Sequence, residues 1–251
     1  MKKNILVSGA AALAALFCVA ALAAGGVADY AREKKWADEV IPGLVVGDPV
    51  YLQTPRGHHR FLTLFTPVAG TDRAAIVVHG MGIHPDWGMV GTLRIELADQ
   101  GIATLSIQMP ILAADARAEA YPPTFAEAAE RIAEAVDFLK AKGYAKIAIV
   151  SHSMGSRMSR GYLAGKPDPA VKSWASLGIS QDDYRGVKLP VLDLYGENDL
   201  PPVLADAAGR KRSLADEESR QVVIARTDHF FSGHEAEMVA AVADFLGATL
   251  K

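Results

Sequence analysis

The stretch Lys146-Ile147-Ala148-Ile149-Val150-Ser151-His152-Ser153-Met154-Gly155-Ser156 decides how the whole chain is read. It opens as a short run of Ile, Ala and Val, the composition of a strand buried on both faces. It then narrows to small residues around Ser153 and continues into 154–164, which reads as a helix. A tight turn from strand into helix leaves little room for side chains at its flanks, where Ser151 and Gly155 stand. Such a turn forces its apical residue, Ser153, into an awkward backbone conformation. The hydroxyl is then held clear of the surface, beside the partial positive charge of a helix N-terminus.

Similar apolar runs occur at 74–79 (AAIVVH), 102–107 (IATLSI), 174–179 (WASLGI), 190–195 (PVLDLY) and 221–225 (QVVIA). Helical patterns fill the gaps. The clearest is 124–142, where Thr124 and Glu127 predict a capping box, Ala129, Ile132, Val136 and Leu139 recur at helical spacing, and Gly143 suits the stop. Residues 89–100, 203–215 and 234–248 are further candidates. Strands alternating with helices predict an α/β fold, a three-layer α/β/α sandwich around a mainly parallel, doubly wound sheet. Residues 44–67 precede the first of these helices and are expected to add an antiparallel edge. The short connection between 179 and 190 leaves little or no room for a lid domain. The longer loop 109–123, with Tyr121, is expected to wall a pocket.

In such a sheet, chemistry gathers at the carboxyl ends of the strands. Asp199 stands just past one of them, in Gly196-Glu197-Asn198-Asp199. Asp193, inside the run, and Glu197 are the rival acids. His229 follows the last run, with Phe230 and Phe231 to pack its loop down and His234 as a rival five residues on. His79-Gly80-Met81-Gly82 ends the 74–79 run, where glycines let the backbone come close to a bound molecule; His79 itself reads as a packed histidine that shapes the turn. Gly80, His152, Trp87 and Tyr121 are the candidates for touching substrate, and Trp87 could equally be packing over the following helix. His58 and His59 receive no role.

Four motifs, VVHGMG at 77–82, VSHSMGS at 150–156, LDLYGEND at 192–199 and RTDHFFSG at 226–233, together resemble the α/β-hydrolase superfamily. The last two are similar to small dienelactone-hydrolase-like and esterase-like members, and to bacterial envelope α/β-hydrolase-like proteins of unknown function. The stretch around Ser153 resembles the G-x-S-x-G nucleophile elbow, with Ser151 in place of the first glycine. The resemblance implies Ser153, Asp199 and His229 as a catalytic triad in that chain order, with the Met81 and Met154 amides as the oxyanion hole. It implies hydrolysis of a carboxylic ester or thioester of a small-molecule acyl substrate, with no cofactor and no metal. Two other readings stay open: a non-catalytic envelope binding protein on the same scaffold, prompted by the off-pattern Ser151 and the short substrate-shaping insertions, and an acyltransferase using the same triad.

Composition agrees with one large core. Of 251 residues, half are hydrophobic and 22% charged, and the net charge of −3 provides no basic surplus for nucleic acid or an anionic membrane. The N-terminus stands apart. Lys2 and Lys3 precede an almost wholly apolar stretch, and Ala21-Leu22-Ala23 offers the small-x-small pattern of a signal-peptidase site. The expected layout is a signal peptide at 1–23, a linker at 24–43 and the α/β domain at 44–251, giving a periplasmic or secreted protein that contacts membrane only through its signal segment. An uncleaved anchor is the alternative, because 5–24 approaches the roughly 20 residues that span a bilayer. Cys18 is the only cysteine and follows Phe17 rather than a small residue, which argues against lipidation.

Overall fold

The computed structural model describes residues 28–251; the expected signal peptide and Cys18 lie outside the described residues. The sheet is built from β1 (Asp48–Gln53), β2 (Arg60–Thr66), β3 (Arg73–Val78), β4 (Ala103–Ile107), β5 (Lys146–His152), β6 (Val171–Leu177), β7 (Val191–Gly196) and β8 (Arg220–Ile224). Its order is β1-β2-β4-β3-β5-β6-β7-β8. β1 and β2 form the antiparallel edge, with β2 also antiparallel to β4, and every other pairing is parallel. The helices are α1 (Tyr30–Val40), α2 (Gly88–Asp99), α3 (Phe125–Ala141), α4 (Met154–Leu163), α5 (Pro201–Ser213) and α6 (Glu235–Thr249). No helix among the described residues is long and apolar enough to cross a membrane.

The central strands are mostly apolar because both faces are covered, with Thr104, Ser106, Ser151 and Asp193 among the buried exceptions. Side chains alternate along each strand. Ile76 and Val78 of β3, Ile147 and Ile149 of β5 and Trp174 of β6 join the core made with α3 and α4. Ala75, Val77, Ala148, Val150, Ala175 and Leu177 join the core made with α2 and α6. This is the three-layer sandwich expected, with β5 at its centre between β3 and β6.

Two local expectations need correction. Thr124 does not cap α3: its backbone is already αR, and an N-cap side chain reaches the helix amides only from an extended backbone. Two single 3₁₀ turns over 118–124 lead straight into the helix, and the Thr124 hydroxyl donates back to the Tyr121 carbonyl at 2.7 Å. Gly143, by contrast, ends α3 as expected, with φ of 95° and the Tyr144 N–H on the Leu139 carbonyl.

The second correction is the segment read as a linker. Residues 30–40 form α1, capped by Asp29 through the Arg32 N–H at 3.0 Å. The helix sets a short apolar face, Ala37 and Val40 with Ile41 and Leu44 just beyond, on Leu62 and Leu64 of β2. It docks also through Glu33, which accepts from both Nη1 and Nη2 of the fully buried Arg131 at 3.0 Å each. His59 completes the cluster, 3.1 Å from Glu33 and stacked on Tyr30 at 3.6 Å. The residue before Glu33, Arg32, donates to the carbonyls of Leu112 (2.7 Å) and Gly82 (3.2 Å). α1 therefore braces both the 80–87 and the 109–123 loops.

Candidate active site

Ser153 has φ 55° and ψ −121°, a conformation that non-glycine residues hold only when their surroundings impose it. Two contacts impose it here. The Ser153 N–H donates to the Leu177 carbonyl of β6 at 2.8 Å. On the other side α4 lies tight on the end of β3, so that a Cβ on Gly155 would fall 2.2 Å from the His79 carbonyl oxygen. Space is short at Gly155, not at Ser151. The Ser151 hydroxyl accepts from Trp174 Nε1 at 2.7 Å and lies 3.0 Å from Ser156 Oγ, so its extra atoms are taken up inside the core. The departure from the glycine pattern has a structural outlet.

His229 and Asp199 come from the loops after β8 and β7. Asp199 Oδ1 lies 2.6 Å from His229 Nδ1, and Ser153 Oγ lies 2.9 Å from His229 Nε2. A carboxylate only accepts, so Nδ1 carries the proton and Nε2 is left to accept from the serine hydroxyl. Asp199 is itself held by the amides of Leu200 (2.7 Å) and Gly196 (3.3 Å). Both His229 and Asp199 are buried. The rival acids are committed elsewhere. Asp193 sits in a fully buried cluster with Arg210 (3.0 Å), the Tyr184 hydroxyl (2.7 Å) and Gln221 (2.7 Å). Glu197 accepts from the Arg226 N–H, and His234 pairs with Glu237 at the head of α6.

The Met81 and Met154 amides have no hydrogen-bond acceptor among the described residues. Gly80 is where the loop runs against the serine: a Cβ there would lie 3.2 Å from Ser153 Cβ and 3.1 Å from His152 Nδ1. Ser153 and His229 open on a cavity of about 140 Å³, lined also by Gly80, Met81, Ile83, His152, Leu200 and Phe230. Tyr121 does not line it. Its ring is buried under the 109–123 loop, its hydroxyl accepts from the Leu112 N–H, and Met109 and Ile111 of that loop are core residues too. Trp87 stands behind the cavity, edge-on to Phe230 at 5.2 Å. No group of three or more His, Cys, Asp and Glu side chains among the described residues is arranged to hold a metal ion.

Sequence reading missed Gly178, at the end of β6. Its φ is +57°, and a Cβ there would stand 2.9 Å from His229 Cε1 and 3.4 Å from Asp199 Oδ2. The Leu177-Gly178-Ile179 break in an otherwise apolar run was the available signal.

Two histidines near the site are held neutral. His79 accepts at Nε2 from the Met109 N–H (2.9 Å), so its Nδ1–H faces the Gly80 carbonyl (2.8 Å): it is the turn-shaping packed histidine. His152 Nε2 donates to the His229 carbonyl at 2.9 Å. Burial drives both pKa values down to about 3, and for His152 the neighbouring His229 adds to this. Because each folded-state value lies below the ordinary histidine value, the unfolded chain binds more protons between pH 3 and 6.5. Stability then rises with pH across that window and is lost as pH falls through it. Each histidine is expected to cost about 2 kcal/mol of stability between pH 7 and pH 5. Urea unfolding at the two pH values measures the sum, and His79→Asn should remove part of it.

The fold is found in solved structures of hydrolases. A dienelactone hydrolase from Anabaena variabilis superposes with a TM-score of 0.68 at 21% identity, covering 81% of this chain and 99% of that one. The chain has the α/β-hydrolase fold. An α/β serine hydrolase homologue from Coxiella burnetii (TM-score 0.64, 17% identity, 81% and 99% covered) shares this α/β-hydrolase architecture. So does an esterase of Pyrococcus furiosus (0.63, 13%, 82% and 98%). Residues 52–130 match a family described as a protein of unknown function, DUF3530. No curated protein matches the chain.

Proposed function

We propose that this α/β-hydrolase-fold protein is a serine hydrolase of carboxylic esters or thioesters, acting through Ser153, His229 and Asp199. The observation that carries the reading is the unbroken hydrogen-bonded line from Ser153 Oγ through His229 to Asp199, at 2.9 and 2.6 Å. His229 Nε2 takes the serine proton as Oγ bonds to the acyl carbon. The Met81 and Met154 amides receive the oxyanion. The carbonyl re-forms, the bond to the alcohol or thiol breaks, and His229 gives that leaving group its proton. Water repeats the sequence on the acyl-enzyme and frees the acid.

One ground of the binding-protein reading was Ser151, whose hydroxyl is accommodated by Trp174 and Ser156; the other, the short substrate-shaping insertions, leaves a cavity that still reaches Ser153 and His229. The acyltransferase reading needs water kept out. Met81, Leu200 and Phe230 at the cavity mouth are 42–48% exposed, an open rim that favours hydrolysis. Rapid mixing with p-nitrophenyl acetate tests the proposal: it calls for a burst of p-nitrophenol equal to the enzyme present, absent in Ser153→Ala. A folded protein with neither burst nor turnover on any ester would sink it. Gly178→Ala should push the His229 ring aside and lower kcat by about 100-fold with little change in KM, the usual scale for a displaced catalytic group. The apolar N-terminus is read as an export signal, so the enzyme would act outside the cytoplasm; an intact mass beginning at or near Ala24 in protein from the cell envelope tests that.

A further inference from the structure

We infer that the cavity beside Ser153 selects esters of short, uncharged acyl groups, of about two to five carbons, and leaves the alcohol side loosely defined. This rests on the serine-hydrolase reading and adds the substrate class to it.

Size is the first argument. The cavity measures about 140 Å³, and an apolar cavity of about 150 Å³ is filled by a benzene ring. An acetyl to pentanoyl group fits that space beside the serine, and an octanoyl chain does not. The walls resist expansion. Ile83 packs into the core shared by α2 and α6. Phe230 packs its inner edge against Trp87 and His229, each at 5.2 Å, while its outer face is exposed at the mouth.

Charge is the second argument. No carboxylate, ammonium or guanidinium group lines the cavity. His152, its one further polar side chain, donates through Nε2 to the His229 carbonyl, which leaves its Nδ1 able only to accept and so no partner for a carboxylate. A charged acyl group would lose its water and gain no partner. The mouth has the opposite character. Met81, Leu200 and Phe230 are exposed and apolar, and the 179–190 connection carries no cap over them. The half of the ester that lies there meets an open greasy rim that sets no length limit.

The test runs two ester series on the purified protein, with fluorophosphonate labelling of Ser153 in the same preparation. With p-nitrophenol fixed as the alcohol, kcat/KM should peak at propanoate or butanoate and fall at least about 100-fold by octanoate, on the scale of the energy of a few misplaced methylenes. A hemisuccinyl ester should fall by at least about 100-fold against butanoate for want of a counter-charge. With butanoate fixed, methyl, benzyl and glyceryl alcohols of matched reactivity should agree within about tenfold. Ile83→Ala, checked for native circular dichroism, should raise the octanoate-to-butanoate ratio at least about tenfold. Octanoate or hemisuccinate cleaved as well as butanoate overturns the inference, as does strict alcohol selection with acyl tolerance. If Ser153 labels yet no short ester turns over, the substrate class is wrong while the hydrolase reading stands. If Ser153 does not label, the hydrolase reading itself fails and the inference fails with it.

Discussion

Ser153→Ala is expected to lower kcat toward a short p-nitrophenyl ester by on the order of 10⁶-fold, and His229→Ala by a similar factor. The size follows from the way the triad acts as a unit. Without Oγ there is no covalent intermediate, and without Nε2 there is no group to accept its proton, so removing the second after the first should cost little more. Asp199→Asn is milder, on the order of 10⁴, because it leaves both reacting groups but spoils the tautomer that the carboxylate imposes on His229. Ser153→Ala carries a second signature. The strained backbone at 153 is kept by the Leu177 bond and the Gly155 contact, neither of which involves the hydroxyl. The variant should therefore fold at least as well as the wild type, and single-turnover kinetics beside thermal unfolding separates lost chemistry from lost structure.

Glu33→Ala is the largest stability change expected away from the triad, about 3 kcal/mol, because it takes one of two carboxylates from a buried guanidinium. Arg131 is fully buried, and Glu33 supplies two of its hydrogen bonds. Glu127 and the Gln108 carbonyl remain, but they do not take over the two oxygens that Glu33 contributes. Replacing both partners at once, Glu33→Met with Arg131→Met, should cost less than Glu33→Ala alone, since the buried guanidinium is gone and Glu127, the carboxylate left behind, is partly exposed. Urea unfolding of the single and double variants measures this. A chain starting at residue 44 would lose Glu33 and also the Arg32 bond to the Gly82 carbonyl, so it should be both unstable and loose around Met81.

The contrast between α1 and the sheet shows what a sequence makes legible. The central strands announce themselves because burial on both faces favours short runs dominated by Ile, Val, Leu and Ala, even where a serine or Asp193 interrupts them. Ser153, Asp199 and His229 were candidates because each stands directly after such a run, and the topology brings those ends together. The preference for Asp199 over Asp193 followed from that position. α1 was hard to read by the same logic, since its apolar face is short and broken by Glu33, whose partner is an arginine nearly a hundred residues away. Its Asp29 cap and the Lys34–Asp38 and Lys35–Glu39 pairs were the local signals. Tyr121 was misplaced because an aromatic in a long loop looks like a pocket wall until the loop is seen to be core. Gly178 matters through a clash that would occur only in three dimensions.

The central claim is that Ser153 is an activated nucleophile. Intact-mass analysis after treatment with a fluorophosphonate tests it most directly, on folded wild type beside folded Ser153→Ala. One adduct is expected on the wild type and none on the variant. An unlabelled wild type, or equal labelling of both proteins, would contradict it.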